Sequence, residues 1–326
     1  MKRTLKKGDV IGIFSSSYPL TAIAPEAAGR AVRFLEEKGY RVKPGRLFGK
    51  RDFYRSGTIA ERAREINELL RDPDITCLMA SVGGMVSNAL LPYLDYEYYK
   101  TDPKLLVGHS DITALLLGIY ARTGVITYYG PNLVPTFGQS PPFLEESFRS
   151  FAAILSGTVP YTCPKPAVYA DEPTDWGQDM TRKVPLPNRW ITVHPGRAEG
   201  RLIGGNLSAI TGILASPYMP DLRNGDILFL EDAEKFAAYC ERYFAMLKIS
   251  GVFDRVGGII LGKHRRFDDQ GTGRTPGDIL QEVLDGQRIP ILADVDCCHT
   301  IPMLTLPIGG RIRLDAGRQE ITVLEA

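Results

Sequence analysis

What this 326-residue chain lacks narrows its class before any motif does. It has no surplus of charge: 39 Lys and Arg stand against 38 Asp and Glu, a formal net charge of +1. A protein that grips nucleic acid through its phosphates needs a basic excess or a basic stripe, so nucleic acid is not an expected partner. No apolar run approaches the length that crosses a bilayer, so a membrane is not expected either. The first residues, Met1 to Asp9, are basic, but no long apolar stretch or cleavage motif follows them, and the expected compartment is the cytoplasm. Cysteine is scarce, odd in number and scattered (Cys77, Cys163, Cys240, Cys297, Cys298), which fits a reducing compartment better than a disulfide framework. There is no GxGxxG and no Walker A segment, so no nucleotide cofactor is implied, and there is no internal repeat or low-complexity tract. What is present is ordinary for a soluble globular protein: 44% hydrophobic and 24% charged residues.

The pattern along the chain predicts an α/β fold in two parts. Val10 to Phe14, Tyr40 to Val42, Ile75 to Ala80, Leu105 to Val107 and Val125 to Tyr129 are short apolar runs of strand length. Amphipathic helical stretches separate them, Ala24 to Lys38 and Ile59 to Arg71 among them. Alternation of this kind implies a mostly parallel sheet covered on both faces. Residues 1–157 are therefore read as an N-terminal α/β domain. Residues 158–195 carry seven prolines between Pro160 and Pro195 and are read as an irregular connection. Residues 196–326 are read as a C-terminal domain of mixed strands and helices, with Arg311 to Asp315 and Glu320 to Leu324 as a two-stranded ribbon. The active site is expected between the two.

One stretch organises the rest. Leu105-Leu106-Val107-Gly108-His109-Ser110-Asp111 runs from a strand through a glycine into the helical pattern that begins near Thr113. A strand, a tight turn and a helix form the setting in which a nucleophilic serine is raised on an elbow. Gly108 permits a sharp turn, and the amides after Ser110 open a helix, where partial positive charge favours an oxyanion. The same residues also read as a plain helix cap. Gly83-Gly84, at the end of another strand, offers a second amide donor or a simple turn.

Serine needs a base, and four histidines are available: His109, His194, His264 and His299. His109 is adjacent to Ser110, and neighbours on a turn point apart. His299 lies in a proline-bounded loop after an apolar strand, which suits a rigidly held base. The imidazole then needs a carboxylate to fix its tautomer. Glu231 or Asp232, ending the hydrophobic run Asp226 to Leu230, serves that role or caps the next helix. Asp294, Asp296, Cys297, Cys298 and His299 compose a competing metal set, but adjacent cysteines rarely share a tetrahedral site and no second cluster has the usual spacing. No metal and no cofactor are expected.

Several longer segments resemble the LD-carboxypeptidase family of serine peptidases, and within it the branch of microcin C immunity proteins. They include Asp52-Phe53-Tyr54-Arg55-Ser56-Gly57-Thr58, Gly83-Gly84-Met85-Val86-Ser87-Asn88, Gly108-His109-Ser110-Asp111, Tyr129-Gly130-Pro131 and Gly204-Gly205-Asn206-Leu207. Leu228-Phe229-Leu230-Glu231-Asp232 and Cys298-His299-Thr300-Ile301-Pro302 complete the set, so the likeness runs nearly end to end. The resemblance implies a serine hydrolase that works without metal. Ser110 is then the nucleophile, His299 the base, Glu231 its carboxylate, and the amides of Gly84 and Asp111 the oxyanion hole. It further implies substrate contacts from Trp176, Asn206 and Lys235, a homodimer, and a peptidyl- or aminoacyl-nucleotide substrate cleaved at its amide-type link. Two other activities stay open at this point: trimming of murein tetrapeptides, and binding without turnover. Two residues depart from the family pattern. His109 stands where an aromatic residue is expected, and Arg265 where an acid facing the substrate's amino group is expected.

Overall fold

The computed structural model describes residues 3–139, 143–172 and 183–326. Val10–Phe14 is buried at every position, which is what a strand covered on both faces requires. It lies between Arg41–Pro44 and Ile75–Ala80, and all three run parallel. Leu105–Gly108 and Thr127–Tyr129 extend the sheet in the same direction. The sixth strand, Leu306–Ile308, returns from near the other end of the chain and pairs antiparallel with Thr127–Tyr129 at the sheet's edge. Pro307 is tolerated there because an edge strand needs only one row of amide donors.

The second sheet has eight strands. Arg197–Asn206, Asp226–Glu231, Val256–Gly262 and Ile291–Val295 form its parallel centre. Arg311–Asp315, Glu320–Val323 and Tyr161–Thr162 extend one side antiparallel, and Ile191–His194 closes the other. The proline-rich segment read as irregular thus supplies both outer strands of this sheet. Two- to four-residue edge strands carry too short a pattern to show against surrounding prolines.

Local signals set the helix limits. Thr58 and Glu61 form a reciprocal capping box at the start of Ile59–Arg71, and Thr275 and Asp278 do the same for Pro276–Leu284. Gly124, left-handed at φ 71°, ends Thr113–Thr123. That helix follows directly from the Ser110 turn and is buried from Thr113 through Ile119. Buried apolar residues from both sheets form one contiguous core. Because the central strands of each sheet are parallel, their carboxyl ends gather on one side, where open α/β sheets place ligands.

Candidate active site

Leu105–Gly108 delivers the chain to the base of this region. His109 is still extended, and Ser110 then turns to φ 65°. A left-handed serine costs on the order of 1–2 kcal/mol and persists only where its surroundings impose it. Here they do. The Ser110 amide donates to the Tyr129 hydroxyl at 3.2 Å, and a short 3₁₀ turn, Ser110–Ile112, leads into the buried helix. Two glycines leave room for the elbow. A Cβ on Gly108 would lie 2.8 Å from Asn132 Oδ1, and one on Gly83 would lie 2.8 Å from Ser110 Cβ and 3.1 Å from its Oγ.

The Gly84-Met85 turn is fixed against this elbow by side chains from two directions. Ser17 Oγ accepts from the amides of Met85 (3.0 Å) and Val86 (3.1 Å). Asp111 Oδ2 accepts from Val86 (3.0 Å) and Ser87 (2.9 Å). The buried Arg62 guanidinium donates to the Ser16 and Val86 carbonyls and so holds the same two loops together. The amides of Gly84 and Asp111 have no protein acceptor among the described hydrogen bonds, and both residues line the cleft beside Ser110.

Across the cleft, Asp226–Glu231 ends in a fully buried carboxylate. Glu231 Oε2 accepts from His299 Nδ1 at 2.7 Å, and Oε1 accepts from the Tyr129 hydroxyl at 2.5 Å and Asn206 Nδ2 at 2.9 Å. Burial alone would raise the Glu231 pKa, but the His299 charge and the three donors outweigh it and hold the group at about 2. Burial likewise opposes a proton on His299, yet the Glu231 charge and hydrogen bond raise the imidazole above its ordinary value. Asp232, the other acid in this run, lines the same cleft but is not the histidine's hydrogen-bond partner. Its oxygens accept from Asn206, from the Ser208 amide and hydroxyl, and from its own chain at Ala233.

Ser110 and His299 face one cleft of about 340 Å³, also lined by Gly84, Asp111, Asn206, Lys235 and Arg265. The Ser110 hydroxyl makes no hydrogen bond to His299 within it. Asn206 reaches the cleft, but its side chain is committed to Glu231, Asp232 and the Ala209 amide. Lys235 lines the cleft with no ion pair or side-chain hydrogen bond of its own among the described residues. Arg265 donates to the Glu172 carbonyl at 3.1 Å and lies 3.8 Å from Asp171. Trp176 falls outside the described residues.

His109, the first departure, is an aromatic wall. Its ring meets His299 edge to face, with centroids 5.3 Å apart, and its Nδ1 donates to the Gly130 carbonyl at 3.1 Å. Burial above all, then the His299 and Arg265 charges, push its pKa down to about 3, so it stays neutral. Two members of the rival metal set, Asp296 and His299, have protein partners instead. Asp296 pairs with buried Lys263 at 2.9 Å and accepts from Trp190 and Asn188. Burial raises both thiols, Cys297 and Cys298, above the ordinary range. Among the described residues no group of three or more potential ligands is arranged around a common point.

Residue reading missed Tyr129, Ser17 and Arg62. Only their positions just beyond or at strand ends, or on the helix facing them, hinted at the site.

A serine on a strand–helix elbow, facing a histidine oriented by a buried carboxylate, defines the serine peptidase class. The comparisons give the family. Residues 11–130 match the LD-carboxypeptidase N-terminal domain and residues 199–314 the LD-carboxypeptidase C-terminal domain, so the chain belongs to the LD-carboxypeptidase family. It is 50% identical to the microcin C7 self-immunity protein MccF of Escherichia coli, over 98% of this chain and 94% of that protein. It is also 50% identical to a putative carboxypeptidase of Vibrio cholerae, over 96% of this chain and 94% of the other. The solved structure of the microcin C7 self-immunity protein in complex with aspartyl sulfamoyl adenosine superposes with a TM-score of 0.97 at 49% identity, covering 100% of this chain and 98% of that one.

Proposed function

We propose that this protein hydrolyses the amide-type bond between an aminoacyl or peptidyl group and a nucleotide. Ser110 Oγ attacks the acyl carbon while His299 Nε2 takes its proton. The oxyanion that forms is met by the amides of Gly84 and Asp111. The carbon–nitrogen bond then breaks, and His299 returns the proton to the leaving nitrogen. Water, deprotonated by the same imidazole, attacks the acyl-enzyme and releases the acid and free Ser110. Glu231 accepts from His299 Nδ1 throughout, which fixes the tautomer whose Nε2 is free to act as base. No step requires a metal or a cofactor.

The observation that carries this reading is the 2.7 Å contact of His299 with buried Glu231 in the cleft that also holds Ser110. The substrate class rests on the relative bound to aspartyl sulfamoyl adenosine. Trp176 is proposed to stack on the nucleobase, and Lys235 to meet an anionic group on the acyl side, with Asn206 holding the acids behind it. A cytoplasmic homodimer completes the proposal.

The carboxypeptidase relative of equal identity supports a second reading, release of the terminal residue from a murein tetrapeptide. The purified protein is assayed on aspartyl sulfamoyl adenosine and on murein tetrapeptide, and the two readings are separated by kcat/KM. Ser110→Ala is expected to abolish turnover of either, and full activity in that variant ends the hydrolase reading. Trp176→Ala is expected to raise KM for the nucleotide alone. Tight binding of the nucleotide by the unaltered protein, with no product by mass spectrometry, would instead mark a sequestering protein.

A further inference from the structure

The cleft is built by two sheets, and one hydroxyl ties its two working halves together. Tyr129 ends the strand Thr127–Tyr129, fully buried, with Gly108 opposite it on one side and Leu306 on the other. Its oxygen accepts the Ser110 amide at 3.2 Å and donates to Glu231 Oε1 at 2.5 Å. Among the described residues no other side chain bonds directly to both. Building on the reading above, we propose that Tyr129 is a positioning residue that sets the serine elbow and the basicity of the Glu231–His299 pair together.

The turn gives the Ser110 amide no backbone acceptor among the described hydrogen bonds, so it needs a side-chain one. Glu231 is buried and bears full charge, so each donor to it lowers the charge that His299 feels. One hydroxyl meets both needs, because an oxygen accepts along a lone pair while it donates its proton. The Phe229 ring packs edge-on against it at 4.9 Å and helps hold it in place. Burial above all, and then the Glu231 charge, keep the phenol protonated, so it is always the donor toward the carboxylate.

Without the hydroxyl, Glu231 loses one of three donors, its carboxylate becomes more basic, and the imidazolium beside it is favoured. The neutral His299 that accepts the serine proton then exists only at higher pH. Tyr129→Phe is therefore expected to lower kcat about 10- to 100-fold with KM changed less than about twofold, since substrate contacts are untouched. The acid limb of its pH–rate profile moves upward. Replacement of Tyr129 by 3,5-difluorotyrosine keeps shape and hydroxyl but makes a stronger donor, so its limb moves downward. This second variant also covers the case in which Tyr129→Phe does not fold. A Tyr129→Phe protein with kcat within about twofold of the unaltered one and an unmoved acid limb overturns the inference. So does a fluorinated protein whose limb stays or rises. If Ser110→Ala is inactive while Tyr129→Phe behaves as the unaltered enzyme, this inference alone fails. If Ser110→Ala is active, the hydrolase reading fails first.

Discussion

Replacing Glu231 by glutamine tests the proposed division of labour with almost no change of shape. The surrounding donors dictate how the amide sits. Oε1 takes hydrogen bonds from Tyr129 and Asn206, and Asn206 cannot reverse its role, since its Oδ1 accepts the Ala209 amide and leaves its NH₂ toward the carboxylate. The glutamine carbonyl must therefore occupy the Oε1 place, and its NH₂ group faces His299 Nδ1. That nitrogen is then forced to accept, so the imidazole carries its proton on Nε2 and cannot take one from Ser110. In a serine–histidine–carboxylate site a wrong tautomer costs roughly 10⁴-fold in kcat, or about 5 kcal/mol of barrier. The assay is release of sulfamoyl adenosine from aspartyl sulfamoyl adenosine, followed by chromatography under single-turnover conditions. A glutamine variant within about tenfold of the unaltered protein would show that His299 does not depend on Glu231 for its tautomer.

Three further outcomes are expected. Because Glu231 holds the His299 imidazole above its ordinary value of 6.5, kcat/KM should fall as pH drops through a limb above that value; a limb below 6.5 contradicts the coupling. His109 is neutral and serves as a wall, so His109→Phe should keep kcat within about threefold, whereas a loss of about a hundredfold would give His109 a chemical role. Lys263→Met leaves the Asp296 carboxylate buried without its cation, so stability should drop by about 3–5 kcal/mol and Tm by roughly 4–7 °C, measured by calorimetry. An unchanged Tm would mean that the Trp190 and Asn188 donors alone carry that charge.

The serine elbow was legible because its signal is local: apolar strand, glycine, short polar turn and apolar helix follow one another within about a dozen residues. The regular α/β alternation of the first half was legible for the same reason. The histidine and the acid were not readable by themselves, since 68 residues separate Glu231 from His299 and each also makes sense as a loop or cap residue. Resemblance to the family singled out Glu231 over Asp232, and the geometry gives the cause: Asp232 accepts the Ser208 amide and hydroxyl, while Glu231 accepts from His299. Tyr129 stayed invisible because its importance arises from strand register and from the meeting of two sheets, neither of which is written in neighbouring residues. Leu306–Ile308 was hidden likewise: three residues with a central proline do not read as a strand until the edge they cover is known. His109 stood out as a histidine in an aromatic position, and burial keeps it neutral, so that its ring serves as the wall.

The most direct measurement of the central claim is the mass of the protein itself, quenched in acid within the first turnover of aspartyl sulfamoyl adenosine. An added aspartyl group is expected on the peptide that contains Ser110, present in the unaltered chain and absent from Ser110→Ala. Product formation with no acyl group on Ser110 at any time of quenching, together with equal turnover by Ser110→Ala, would contradict it.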